Sequence, residues 1–90
     1  MVEITVKHDG KEKKAQFIDH GIVGHEWRSE MVLEHKHYFS AVSVEEARLS
    51  KLTFDSGGKC YSGTAAYRIY NDIATFGDFG IDIREALSGD

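Results

Sequence analysis

From Trp27 to Ala41 the chain keeps a period of two. Odd positions read Trp27, Ser29, Met31, Leu33, His35, His37, Phe39 and Ala41, and even positions read Arg28, Glu30, Val32, Glu34, Lys36, Tyr38 and Ser40. Successive side chains of a strand point to opposite faces, so such a run turns one phase to a core and the other to water. The run is too long for one ordinary strand, and it is expected to fold back near His35-Lys36-His37 or to carry a bulge there. A helix over 26–35 would also gather Trp27, Met31 and His35 on one side. No Ser, Thr, Asp or Asn cap stands just before it, so strand is the preferred reading.

The rest of the chain adds hairpins to this run. Val2, Ile4 and Val6 alternate with Glu3, Thr5 and Lys7, Asp9-Gly10 is a tight-turn signal, and Ala15 to Ile18 can return as a second strand. Asp19 to Gly24 reads as a loop. Ser43 to Glu46 matches a capping box, so a helical turn is expected from Val44. Leu52 and Phe54 precede a turn over Asp55–Lys59, and residues 59–70 read as the returning strand. Ala66, Ile69, Ile73 and Phe76 would instead line one face of a helix, and that alternative stays open. Asp82 could cap a last short helix from Ile83 to Leu87. The expectation is one α+β domain over residues 1–90, an antiparallel sheet of about five strands built mostly from consecutive hairpins, with one or two short helices. Lys11, Lys13 and Lys14 look like protection for a sheet edge.

Charge divides the chain in two. Residues 1–70 hold ten acidic and ten basic side chains, whereas 71–90 hold Asp72, Asp78, Asp82, Glu85 and Asp90 against Arg84, so the net charge of −4 lies in the last stretch. Nucleic-acid binding through phosphates needs clustered Lys and Arg and is not expected. An acidic end suits a basic protein surface, one that itself binds nucleic acid included; a solvated tail is the plainer alternative. The single Cys60 rules out an intrachain disulfide, and there is neither a signal-like apolar run nor a bilayer-spanning segment. A soluble, cytoplasmic protein is expected.

Two constellations invite chemistry. His35 and His37 would share a strand face, and with His25 and Cys60 they could supply the four donors of a structural zinc; His20 flanks the same loop. No CxxC or HExxH spacing supports it. Cys60 with a histidine could form a thiolate pair, but no orienting third group is evident, and no enzyme is expected. Asp78-Phe79-Gly80 spells a kinase magnesium motif in a chain lacking every other kinase element. Aromatic residues are the better clue. Tyr67, Tyr70, Phe76 and Phe79 alternate with Asp72, Asp78 and Asp82, a mixture suited to a partner carrying Arg or Lys beside apolar pockets. The alternative is that half of the rings close the core.

His37-Tyr38-Phe39-Ser40-Ala41-Val42, followed by Arg48-Leu49-Ser50-Lys51-Leu52, resembles a pattern in small uncharacterised phage and bacterial proteins. Those carry an aromatic-rich strand, a connector and an Arg-Ile-Ser-Lys-Leu strand. Here Leu49 replaces the isoleucine and the connector is short and acidic, with Glu45 and Glu46. The overlap spans residues 26–55 and carries no activity to transfer. In general character the chain is also similar to small phage-encoded inhibitors of host defence, anti-CRISPR proteins among them. That likeness implies a protein-binding inhibitor of a host nuclease or nucleic-acid-binding complex.

Overall fold

A computed structural model describes residues 2–83. The period-two run is two strands. β3 (Glu26–Leu33) and β4 (Lys36–Ser43) pair antiparallel with Leu33 opposite Lys36, leaving Glu34 and His35 as a two-residue turn. Both turn residues have positive φ, 52° and 67°, the left-handed pair that matches the twist of a hairpin. The connection inverts the phase. Paired residues share a face, so Trp27, Ser29, Met31 and Leu33 lie on the same side as Val42, Ser40, Tyr38 and Lys36. The expectation that odd positions keep one face through Ala41 is therefore corrected, and His37 and Phe39 lie on the opposite side.

β1 (Val2–His8) and β2 (Lys11–Val23) form the first hairpin through Asp9-Gly10. β2 runs through the segment expected as a loop: the register slips between Asp19 and Gly21, inserting His20 as a bulge, and the turn falls at Gly24-His25. α1 (Val44–Arg48) starts on the expected box, with the Ser43 hydroxyl accepting from the Glu46 amide. β5 (Thr53–Ser56) and β6 (Lys59–Ser62) make a separate hairpin, and α2 (Thr64–Gly77) follows at once. The helical alternative for Ala66, Ile69, Ile73 and Phe76 is the correct one; the strand expected over 59–70 stops at Ser62. β7 (Ile81–Asp82) pairs with the end of β1, so Asp82 lies in a strand. The helix expected beyond it falls, from residue 84, outside the described residues.

The five-stranded sheet runs β4-β3-β2-β1-β7 and curls around α2 as a half-barrel. β2 is central from Gln16 onward, where its pairing with β3 begins; Lys11, Lys13 and Lys14 lie on the preceding stretch, which is paired with β1 on one side only. There Lys13 reaches Glu34 at 2.9 Å and Lys14 reaches the Thr5 hydroxyl at 2.9 Å. Val6, Ala15, Met31 and Leu33 from the sheet enclose Phe76, Ile81 and Ile83, with Ile4, Phe17, Tyr38 and Ile73 around them. No described helix is long and apolar enough to cross a membrane.

Left-handed backbone costs a side-chain-bearing residue about 1–2 kcal/mol, and glycine escapes the penalty while giving up more freedom on folding. His35→Gly should therefore stabilise the chain by about 0.5–1 kcal/mol. Urea unfolding checks this; a destabilised variant would mean that the His35 ring contributes more than its backbone costs.

Candidate functional site

The residues expected to hold zinc lie apart. His25 and His35 occupy the turns at opposite ends of β3, an eight-residue strand about 25 Å long. His37 points from β4 to the uncovered side of the sheet, and Cys60 is exposed on the separate hairpin. Among the described residues, no group of three or more His, Cys, Asp and Glu side chains could hold a metal ion. The zinc expectation is corrected on that ground: it assumed a parity that the turn at Glu34-His35 reverses. The Cys60 thiol has Asp55 as its ladder partner, and that carboxylate pushes its ionisation up, away from a reactive thiolate.

The acidic, aromatic segment divides between core and surface. Phe76 is sealed in the core and is withdrawn from the contact set. Asp72 faces the sheet, where the Ser40 hydroxyl donates to its Oδ1 at 2.9 Å while Asn71 donates to the same hydroxyl at 2.8 Å. Burial pushes the Asp72 carboxyl up to about 6, against the pull of the Ser40 hydrogen bond and the Arg68 charge. The Tyr67 hydroxyl donates to Glu46, whose charge and hydrogen bond push its ionisation up.

A surface stripe remains on α2. Tyr70, Ala74, Gly77 and Asp78 are exposed at helical spacing, and Phe79 follows the helix end. Tyr70 keeps 41% of its surface exposed and is fixed by its hydroxyl donating to the Thr53 carbonyl at 2.8 Å and by Phe54 edge-on at 5.4 Å. Phe79 keeps 51% exposed and leans on Tyr38 with ring centroids 5.0 Å apart. Two held rings thus flank Ala74 and Gly77, with Asp78 beside the second ring; Asp82 pairs with Lys7, on the phase that faces away from α2, and is withdrawn from the contact set.

Comparison with known protein families, curated proteins and solved structures finds no match. The site must be read from its own chemistry.

Two groupings escaped the sequence. One is a polar row at the helix–sheet contact. Asp19, Ser29 and Ser40 stand in register on neighbouring strands and meet Arg68, Asn71 and Asp72 of α2. Arg68 bonds Asp19 at 3.1 Å and lies over the Trp27 ring at 4.3 Å. The other is on the uncovered face, where Glu30 accepts from both His20 and His37. The signal for it was present: Glu30 is on the polar phase of β3, and a two-residue turn puts His37 on that same phase.

Proposed function

We propose that this chain is a small protein-binding module that acts by occupying a basic partner, such as a protein whose own task is to hold nucleic acid. The observation that carries this reading is the α2 stripe, two immobilised but exposed rings either side of Ala74 and Gly77 with the Asp78 carboxylate at one end. Aromatic side chains held in place lose little freedom on binding, and their apolar area is what an interface buries at its centre. The carboxylate would select and steer a cationic partner more than it would add affinity. The contact set that follows from the structure is Tyr70, Asp78 and Phe79.

Affinity purification of the tagged chain from its native cells identifies the retained protein, and variants then decide the surface. Phe79→Ala and Asp78→Lys should each weaken retention at least about tenfold, as central anchors and facing charges do. Exposed Leu49→Ala should leave it unchanged. Retention that ignores the α2 variants would remove this reading. A bound partner that keeps its full nucleic-acid affinity would remove the occupying role.

A further inference from the structure

Glu30 is on a face of the sheet that no described helix covers, yet only 11% of its side-chain surface is accessible. Two histidines account for this. His20, displaced by the β2 bulge, donates from Nε2 to Oε1 at 2.8 Å, and His37 on β4 donates from Nδ1 to Oε2. These two hydrogen bonds hold the Glu30 carboxyl below the usual carboxylate range, His37 contributing most. An ionised carboxylate has only acceptors, so it dictates which nitrogen of each ring carries the proton. In the neutral rings the remaining nitrogens, Nδ1 of His20 and Nε2 of His37, are bare acceptors directed away from Glu30. Phe39 stacks beside His37 with centroids 6.5 Å apart and planes 16° apart, and keeps 64% of its surface exposed. The adjoining open groove, about 540 Å³, includes His20, Arg28, Phe39 and Ala41 in its lining.

We propose that this face is a receptor for an arginine side chain of a protein partner, with the guanidinium stacked on Phe39 in the groove and donating to the free His20 nitrogen. The argument is one of complementarity. A groove-lining acceptor, a negative charge behind it and an accessible ring face call for a planar cation with several N–H donors. A carboxylate ligand would meet lone pairs and Glu30 itself. Arg28, the nearby cation on the same strand face, is engaged by Glu26 at 3.1 Å. Asp19, next to His20, turns to Arg68 on the other side of the sheet. The receptor uses none of the α2 stripe and stands or falls independently of it.

The probe is Nα-acetyl-L-arginine amide, added to the isotope-labelled chain at pH 8, where imidazole is neutral. Long-range nitrogen–proton NMR should first find His37 protonated at Nδ1 and His20 at Nε2. Additions to about 50 mM, the range of single-side-chain affinities, should then shift His20, His37 and Phe39 saturably. The uncharged analogue Nα-acetyl-L-citrulline amide should not. Phe39→Ala, at an exposed position, should weaken the arginine response about three- to tenfold, and Glu30→Gln should abolish the tautomer pair. Phe79→Ala should change nothing. The opposite tautomers, a doubly protonated ring at pH 8, no saturable shift, or equal shifts with citrulline would each overturn the proposal.

Discussion

Phe76→Ala should cost about 3–5 kcal/mol, as removing a buried aromatic side chain does, and lower the melting temperature by about 20 °C. Phe76 has no accessible surface and joins Met31, Leu33, Val6 and Ile81 in the apolar cluster that packs α2 against the sheet. A domain of this size commonly has a total stability of about 5–15 kcal/mol, so the variant should be close to unfolding at physiological temperature. Phe79→Ala, three residues on and half exposed, should cost less than about 1 kcal/mol. Denaturant titration of both variants separates the two rings. Equal losses would mean that Phe79 belongs to the core and is no free contact.

Asp72→Asn should act in the opposite direction and stabilise the chain. The folded state holds the Asp72 carboxyl at about 6, above the ordinary 3.8, so ionisation opposes folding. That opposition grows as the pH rises through about 4 to 6, is complete above the folded value and is absent below the ordinary one. The difference corresponds to about 3 kcal/mol at pH 7.5, since tenfold in proton affinity is 1.36 kcal/mol. Asparagine is nearly isosteric and its Oδ1 still accepts from Ser40, so most of that gain should survive. Unfolding free energies of parent and variant, compared from pH 3 to 8, should diverge upward through that window and coincide at its acid end. A variant less stable than the parent at pH 7.5 would show that the ionised carboxylate is needed, with Arg68 offsetting its burial.

The sheet was readable because alternation, the Asp9-Gly10 turn and the Ser43 box are local signals, and local signals do not depend on what packs against them. Three features were not readable for a shared reason. The face that His37 occupies depends on whether the Glu34-His35 connection holds two residues or three, and neither residue is a typical left-handed one. Residues 64–70 satisfy a strand pattern as well as a helical one, and only burial of Ala66 and Phe76 against the sheet decides between them. Asp72 resembled a surface charge because no local cue reveals a carboxylate that will lie opposite Ser40. The contact set shrank accordingly, since composition counts rings and carboxylates but says nothing about which side of α2 they take.

Arg68, Asp72 and Phe76 recur at successive turns of α2 and meet Trp27, the Ser29–Ser40 pair and Met31, which recur every second residue along β3. One helical turn advances 5.4 Å and two strand residues about 6.7 Å, so the two ladders run nearly in step. Sliding the helix by one notch would press a carboxylate onto Met31 or Trp27 and bring the phenyl ring against hydroxyls. An all-aliphatic seam would tolerate that slip; this one has a single seating, with the polar row serving as the tooth of a ratchet.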